Sequence, residues 1–402
     1  MRHVDTTTGD RLHGLDALRG TALLLGVVLH ATMSFFPVQI WMIQDSQTSP
    51  LASGLFFAIH LFRMTSFFLI AGLFAHMMLH RRGWLGFARD RFSRIAGPLF
   101  GMWWIVFPAI VAVVIWMAAI NNGGTLPTDG PPPPGFTVES FPLTHLWFLW
   151  VLLIFYVVML IARLPFALLD RNGGWGRVVD RITGAMTGPW SPALLAAPLA
   201  LSLYLHPAWL PFFGVPTPDT GLVPNVAALT GFGTAFGFGF LLDRRRDLLG
   251  RIERLWLPLT IIALIAGGAT LVMVGGLVPT LAPVTDPALK APLAAVYALA
   301  VFASTVALSL RFLSGYSAVR RYLADSSYWV YIVHLPLVMV GQVLVLDLNL
   351  PWWAKLAVVL AGVMAISLGS YELLVRHSFI GAWLNGRKFP RRRRQTAAVP
   401  AE

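Results

Sequence analysis

The sequence predicts an all-α polytopic membrane protein, a bundle of about ten transmembrane helices with both termini in the cytoplasm. Apolar stretches of about twenty residues recur along the 402-residue chain. Only 12% of the residues are charged, which is about half the share of a soluble domain. The stretches are continuous rather than alternating, which favours helices over the strands of a barrel.

Ten apolar runs are each long enough to cross the hydrocarbon core of a membrane. They cover approximately residues 15–35, 53–79, 96–119, 145–165, 192–209, 224–242, 256–277, 291–313, 327–347 and 352–375. The first run is not expected to be a cleaved signal peptide, because Asp16 and Arg19 lie in its opening turns. We expect an N-terminal segment 1–14, a membrane domain 15–376 and a basic tail 377–402.

Arginine and lysine predict the orientation of the bundle. Of the 30 basic residues, 26 fall in the termini and loops of one side, and only Lys290 and Lys355 fall in loops of the other. The positive-inside rule places the basic side in the cytoplasm. The same distribution accounts for the net charge of +12 without a nucleic-acid partner. We expect the tail segment Arg391–Arg394 to lie on anionic lipid.

Two connections are long enough to have structure of their own. The cytoplasmic connection 163–191 is expected to contain a short interfacial helix. The connection 120–144 on the outer side contains the run Pro131 to Pro134 and is expected to lie extended over the outer surface. The chain has no cysteine, which excludes a cysteine nucleophile, disulfides and thiolate metal ligands.

Ionisable side chains inside the spans are the first candidates for function, because placing them in lipid is costly. Arg19 and His30 are eleven residues apart in the first span. They therefore lie about 20° from one helix face and about 16 Å apart along the axis. Asp16 lies one turn from Arg19 and can pair with it. We take His30, Arg19 and Asp16 as the candidate catalytic residues; the alternative is an interfacial anchor and a satisfied core histidine.

The second and third spans carry four further candidates. His60 and Arg63 share one face of the second span, followed by Gly72, whose small size allows another helix to approach closely. Arg63 is either part of a buried structural pair or a cation that binds a ligand. Arg91 and Arg94 share a helix face before the third span. Such a pair suits phosphate groups. The alternative is that the two arginines only set the membrane topology.

The fourth and ninth spans carry polar and aromatic patterns. The fourth begins with His145 and Trp147, where the aromatic residues form either an interfacial belt or a platform for sugar rings. The ninth contains Tyr328, Tyr331 and His334 at intervals of three residues, a hydrogen-bonding stripe along one side of the helix.

The tenth span ends with Glu372 and Arg376, spaced for an i, i+4 ion pair. No metal site is expected. The residues to which we assign substrate-binding roles are His60, Arg63, Arg91, Arg94, His145, Trp147, Tyr331, His334 and Glu372.

In this order along the chain, these residues resemble the acyltransferase-3 superfamily of membrane acyltransferases. The most distinctive feature is the arginine and histidine separated by ten residues in the first span. Supporting motifs within residues 11–385 are Phe62-Arg63-Met64 followed by Phe67-Phe68, Arg91-x-x-Arg94 before Pro98, His145-Leu146-Trp147-Phe148-Leu149, Tyr331-Ile332-Val333-His334-Leu335-Pro336 and Tyr371-Glu372. Thr65 and Ala71 differ from the residues that relatives have there. The set is most similar to the proteins that succinylate osmoregulated periplasmic glucans.

The resemblance implies a multi-pass enzyme of the bacterial inner membrane that moves an acyl group, succinyl in that subfamily, from acyl-coenzyme A to a glycan hydroxyl. The acceptor would be a periplasmic glucan or another envelope polysaccharide, and acyl-coenzyme A (succinyl- or acetyl-coenzyme A) would be a donor substrate rather than a permanently bound cofactor. Its phosphates would lie at Arg91 and Arg94, with Arg19, and its thioester near His30, which would accept the hydroxyl proton. His60, Arg63 and His334 are alternative oxyanion stabilisers, and a covalent acyl-histidine is a second route.

Three alternatives stay open at the level of the sequence. The first is an O-acetyltransferase that acts on O-antigen or exopolysaccharide. The second is a glycan or small-molecule transporter, with the polar stripe as its translocation path. The third is a structural partner of glucan-synthesis proteins.

Overall fold

The computed structural model describes residues 8–126, 135–169, 174–311 and 318–385, with side chains for 20–126, 135–165, 174–307, 319 and 321–384. Among these residues the only β-structure is one isolated bridge, between Pro142 and Thr220. The α-helices are α1 Thr8–Thr32, α2 Pro50–Arg91, α3 Gly97–Asn121, α4 Trp147–Leu169, α5 Gly174–Ala185, α6 Ser191–Leu205, α7 Val226–Arg244, α8 Leu249–Arg254, α9 Trp256–Met273, α10 Pro287–Arg311, α11 Ala318–Val345, α12 Trp352–Ser370 and α13 Phe379–Asn385.

Each predicted span coincides with a helix. Seven stretches of the described chain are long and apolar enough to cross a membrane, and one of them, Pro50–Asn121, contains the second and third predicted spans. Two shorter apolar helices, Gly20–Phe35 and Ser191–Leu205, coincide with the first and fifth. The prediction of an all-α polytopic membrane protein is confirmed. The orientation stays a prediction, and "outer" and "cytoplasmic" below name the faces as the positive-inside rule assigns them.

The basic connection 80–95, whose charges were counted with the loops, is helical, in agreement with the helix face predicted for Arg91 and Arg94. α2 continues beyond the predicted span, with a break at Gly83, whose φ of 67° is unfavourable for residues with a side chain. A π-helical turn, Phe92–Ala96, then leads into α3. Arg91 and Arg94 therefore lie on helical backbone beside the bundle instead of on a free loop.

α2 and α7 approach each other closely where each has a glycine. A methyl group at Gly72 of α2 would overlap the Phe236 carbonyl of α7, and one at Gly239 of α7 would overlap the Leu69 carbonyl of α2. Only glycine allows the two backbones to come this close. The role predicted for Gly72 is confirmed.

The helix predicted within the connection 163–191 is confirmed as α5. Its exposed apolar residues Trp175, Val178 and Ile182 share one helix face. Such an apolar face on a helix outside the spans is typical of a helix that lies on a membrane surface.

On the outer face, the segment before α4 is held against neighbouring loops. The Leu222 N–H donates to the Val138 carbonyl at 2.7 Å, and Trp103 Nε1 of α3 donates to the Pro142 carbonyl at 2.8 Å. These bonds fix the chain at the point where α4 begins. The run Pro131 to Pro134, for which an extended conformation is predicted, lies outside the described residues.

The two lysines assigned to outer loops are buried and lie on helices. Lys355 Nζ of α12 lies 3.0 and 2.9 Å from the two Asp45 carboxylate oxygens and donates to the Leu346 carbonyl at 2.8 Å. Lys290 Nζ of α10 donates to the His206 carbonyl at 2.6 Å. Asp45 belongs to the segment 36–49 that joins α1 to α2, which we call the outer loop. Its ion pair with Lys355 therefore ties the outer loop to α12.

Replacing one partner of this ion pair should destabilise the protein more than replacing both partners. Lys355→Met leaves a buried carboxylate without its cation, so we expect a loss of roughly 3–5 kcal/mol of stability. The double variant Asp45→Asn/Lys355→Met leaves no buried charge and should recover much of the loss. Thermal unfolding of the detergent-purified protein measures both. A single variant that unfolds at the wild-type temperature would show that the pair contributes nothing.

Candidate active site

Three histidines from distant parts of the sequence meet near the outer end of the bundle. His30 lies in the last turn of α1, and its ring centroid is 5.3 Å from that of His334 on α11. The His334 ring is 4.9 Å from that of His145, which lies in the turn before α4. We call His30, His145 and His334 the histidine cluster. All three were predicted as site residues, and the structure brings them together.

Backbone carbonyls determine which nitrogen carries the hydrogen on two of these rings. His334 Nδ1 lies 2.6 Å from the Tyr331 carbonyl oxygen, and His145 Nε2 lies 3.0 Å from that of Ile332. A carbonyl oxygen only accepts, so each of these nitrogens donates. His334 Nε2 and His145 Nδ1 are buried without a hydrogen-bond partner in the described chain. Each neutral ring therefore presents one bare lone pair.

Tyr331 positions the cluster instead of leaving its hydroxyl free. The hydroxyl donates to the His145 carbonyl at 2.6 Å, which joins α11 to the turn before α4. In that turn Thr144 has a φ of 51°, an unfavourable value for a β-branched residue. The Thr144 N–H donates to the Asp219 carbonyl at 3.0 Å, which supports the strained conformation. The turn and the tyrosine together hold His145 beside His334.

Arg63 brings a cation to the cluster from α2. Its guanidinium packs directly against Gly26 of α1, one turn before His30. It is half-buried, and its neighbour Gly26 lies four residues before His30 on α1. Arg63 Nε is buried without a hydrogen-bond partner, and no carboxylate pairs with the guanidinium among the side chains that the structure describes. Such a group suits an anionic ligand.

His60 lies one helical turn from Arg63 towards the outer face. Its ring stacks on Phe56, with centroids 5.1 Å apart and planes 10° apart. A methyl group at Gly214, whose φ is 70°, would lie 3.2 Å from His60 Cδ2. His60 Nδ1 is buried and has no hydrogen-bond partner in the described chain. His60 therefore adds a further ring nitrogen that is open to a ligand.

At the cytoplasmic side, three arginines surround one carboxylate. Asp90 is 8% exposed and lies 2.9 Å from Arg82, 2.6 Å from Arg91 and 3.3 Å from Arg94. We call these four residues the arginine cluster. Its formal charge is +2, three cations against one anion, so it can still bind an anion.

The two predicted phosphate ligands differ in their surroundings. Arg91 lies over the Phe87 and Tyr156 rings, 5.6 Å from each centroid, and donates to Asp90 and Met78. Its guanidinium is thus largely occupied by the protein. Arg94 is more exposed, at 26% of its side chain. Arg94 is therefore the better placed of the two to contact a phosphate group.

α11 connects the arginine cluster to the histidine cluster. The Tyr328 hydroxyl donates to the Arg94 carbonyl at 2.6 Å. His334 lies six residues further on, a rise of about 9 Å along the helix. Each residue of the predicted stripe, Tyr328, Tyr331 and His334, therefore bonds a backbone carbonyl. These bonds hold the spacing between the two clusters.

Residues 12–372, which are 361 of the 402 residues, match the family model described as an acyltransferase domain. The chain belongs to the acyltransferase-3 family. It is therefore a membrane acyltransferase. No curated protein and no solved structure matches the chain. Acyl transfer is thus given by the family, and the identity of the substrates has to be inferred from the site.

Trp147 packs inside the helix bundle of this acyltransferase. The ring is 5% exposed and stacks on Phe232, with centroids 5.5 Å apart. Its burial between helices argues against an interfacial belt, and its substrate-binding role stays a prediction. Neighbouring helices cover the start of α4, which the hydropathy of one span does not reveal.

Glu372 is occupied by structural contacts. Both of its carboxylate oxygens lie 2.9 Å from Arg376 Nη1, which confirms the predicted i, i+4 pair. The Tyr322 hydroxyl also donates to Glu372, at 3.3 Å, and the His377 ring lies 3.5 Å away. These contacts favour a structural role over the predicted substrate contact.

The side chains of Asp16 and Arg19 lie outside the described residues. α1 is continuous from Thr8 to Thr32, so the axial separation of about 16 Å between residues 19 and 30 is retained. Their catalytic roles stay predictions.

Three residues around the site were missed by the sequence-based reasoning. Asp90, at the centre of the arginine cluster, lies in a segment that was interpreted as topology charges. Gln342, 1% exposed on α11, lies inside a predicted span. Because a polar side chain in lipid is costly, it could have been selected as a candidate in the same way as the ionisable residues. Trp41 lies on the outer loop, where no helical periodicity predicts which way its side chain points.

Shortening Trp147 should affect folding and not substrate binding. Trp147→Phe removes packing against Phe232, and we expect a loss of roughly 0.5–3 kcal/mol in stability. The KM values for donor and acceptor should be unchanged, because the ring packs on Phe232 and is buried between helices. Thermal unfolding together with steady-state kinetics measures the two effects. A raised KM for the acceptor at unchanged stability would restore the platform interpretation.

Proposed function

We propose that this acyltransferase transfers a succinyl group from cytoplasmic succinyl-coenzyme A to hydroxyl groups of a periplasmic glucan or a related envelope glycan, in the bacterial inner membrane. The order of its motifs is similar to that of glucan biosynthesis protein C, which has this activity. The observation that carries the proposal is the combination of bare imidazole nitrogens and a cation without a carboxylate partner around His30.

The unpaired nitrogens suit an acceptor that is rich in hydroxyl groups. His30 Nδ1, His60 Nδ1 and His334 Nε2 are buried without partners in the described chain. A buried polar atom without a partner costs about 1–3 kcal/mol, so a ligand that supplies O–H donors is favoured. A sugar presents several hydroxyls at adjacent ring positions. One hydroxyl at His30 and another at His334 would satisfy two of these atoms at once.

In the proposed reaction, His30 is the general base. The sugar oxygen attacks the thioester carbonyl carbon, the new C–O bond forms and the C–S bond breaks. The hydroxyl proton passes to His30 and then to the departing sulfur, which leaves as the thiol of coenzyme A. Neutral His334 presents a lone pair and cannot donate from Nε2 to an oxyanion, so we assign oxyanion stabilisation to Arg63, which only donates.

The donor is proposed to extend between the two clusters. Its phosphates would bind the arginine cluster, with Arg94 more accessible than Arg91 and with Arg19 as a further candidate. Its thioester would lie at His30, near the outer end of α1. An elongated donor is consistent with the separation of about 16 Å between residues 19 and 30.

Arg63 supports succinyl over acetyl as the transferred group. An acetyl group would leave the guanidinium without an anion in the ground state, whereas a succinyl group brings a carboxylate. A guanidinium has five N–H donors, enough for a carboxylate and a developing oxyanion. The O-acetyltransferase alternative therefore leaves this cation beside His30 without an anion until the oxyanion forms.

Removal of His30 tests the reaction. We expect His30→Ala to lower the rate of succinyl transfer to a β-glucan by about 10²- to 10⁴-fold, the usual contribution of a general base. His80→Ala is the matched control, since His80 is exposed at the cytoplasmic end of α2. Release of free coenzyme A thiol and formation of the succinyl ester are measured on purified protein.

Two results would contradict the proposal. If His30→Ala and the wild type transferred succinate at the same rate, His30 would not be the base. If the wild type moved glycan across a liposome membrane without releasing thiol, the protein would be a transporter.

Arg63 should discriminate between donors. Arg63→Ala is expected to lower transfer of both acyl groups, and to lower succinyl transfer roughly tenfold more than acetyl transfer, because one charge-assisted bond is lost only with succinyl. Competition between succinyl- and acetyl-coenzyme A measures the ratio. Arg81→Ala, at an exposed arginine of the same helix, is the control. Equal losses for the two donors would favour the O-acetyltransferase.

A further inference from the structure

Trp41 lies beside the histidine cluster and has no role in the reaction proposed above. Its ring centroid is 6.3 Å from that of His30, with the planes tilted by 39°. Part of the indole packs on the hydrophobic core, and the residue is half-buried. The outer loop that carries it begins beyond the end of α1, so Trp41 approaches His30 from the side opposite to the arginine cluster.

Gln342 holds the indole in this position. Trp41 Nε1 donates to Gln342 Oε1 at 2.9 Å. Gln342 Nε2 donates to the His30 carbonyl at 3.0 Å and to the Ala31 carbonyl at 3.3 Å. An indole N–H only donates and a carbonyl only accepts, so these partners assign the amide orientation. One buried side chain of α11 thus joins the last turn of α1 to the outer loop.

The outer loop is also anchored at other points. The Asp45 N–H donates to the Ser34 carbonyl at 2.9 Å, and the Asp45 carboxylate pairs with buried Lys355. Gln44 Nε2 donates to the Phe36 carbonyl at 2.7 Å. Trp41 is therefore held in place before any ligand arrives, which reduces the entropy that binding has to overcome.

We propose that Trp41 is the stacking platform for a pyranose ring of the acceptor and that Gln342 is its positioning residue; this rests on the proposed function. The apolar C–H face of a pyranose fits the indole, and its hydroxyl edge reaches the bare nitrogens of His30 and His334. A hydrocarbon chain in the same place would leave these nitrogens unpaired. The phosphate-bearing donor binds at the other side of His30.

Substitution of Trp41 tests the platform. We expect Trp41→Ala to raise the KM for a β-glucan oligosaccharide roughly tenfold and to leave the KM for succinyl-coenzyme A unchanged. Trp353→Ala is the matched control, because Trp353 is on the same face and is exposed. Direct binding of the oligosaccharide to the donor-free protein should weaken to the same extent.

Gln342 is tested by a double-mutant cycle. Trp41→Phe keeps an aromatic ring but loses the N–H, and Gln342→Met loses the acceptor for that N–H. Each is expected to raise the acceptor KM several-fold, and the double variant should be no worse than the poorer single variant. A purely structural role for Gln342 would give additive effects and would lower kcat for every acceptor.

The outcomes separate this inference from the proposed function. If the wild type succinylates the glucan and Trp41→Ala has the wild-type acceptor KM, the platform is wrong and the function stands. If Trp41→Ala instead raises the donor KM, the indole contacts the donor, and the platform is again wrong. If the wild type releases no coenzyme A thiol with any glycan, the proposed function fails.

Discussion

The contact between Arg63 of α2 and Gly26 of α1 determines where the cation of this site lies. A methyl group at residue 26 would overlap the guanidinium, so a side chain there would displace it. Gly26 lies one turn before His30, on the same face of α1. The close packing of α1 and α2 thus places the Arg63 guanidinium beside the His30 imidazole without a hydrogen bond between them. Inside the membrane, such unpaired polar groups are energetically unfavourable, because little water is present to hydrogen-bond with them.

Several buried polar groups elsewhere in the described bundle have partners within the protein. Lys355 has three oxygen partners, Asp90 has three arginine neighbours, and the Tyr331 hydroxyl donates to a carbonyl. Residues of this kind stabilise helix contacts and need no ligand. His334 combines both roles, since Nδ1 is fixed by a carbonyl and Nε2 is left bare. The concentration of unpartnered ring nitrogens around His30 indicates the site better than the mere presence of ionisable residues does.

The sequence was sufficient for the fold and for part of the site. Apolar runs located every span, because hydropathy and length act within one segment. Three of the predicted residues, His30, His145 and His334, meet in one cluster. The burial of Trp147 was not predicted because it depends on how α4 packs against α7, which no pattern within α4 contains.

Other residues of the site depend on contacts between segments far apart in the chain. Trp41 and Gln342 are 301 residues apart in the sequence. Neither residue has a distinctive neighbour in the sequence. Asp90 was overlooked because a single carboxylate among arginines is read as part of a charged loop. Helical periodicity predicts the face on which a residue lies, but not which helix covers that face.

α11 gives the bundle a fixed distance between its two ends. Tyr328 bonds the Arg94 carbonyl, Tyr331 bonds the turn that carries His145, and Gln342 bonds the last turn of α1. Each bond is to a backbone carbonyl, which a change of rotamer does not move. The two clusters are therefore set by one helix rather than by loops, and a proposed donor of a given length would meet His30 at a constant place. The proposed base lies at the end of α1, where the chain turns into the outer loop. At that end of the bundle the proposed acceptor would reach it without crossing the bilayer.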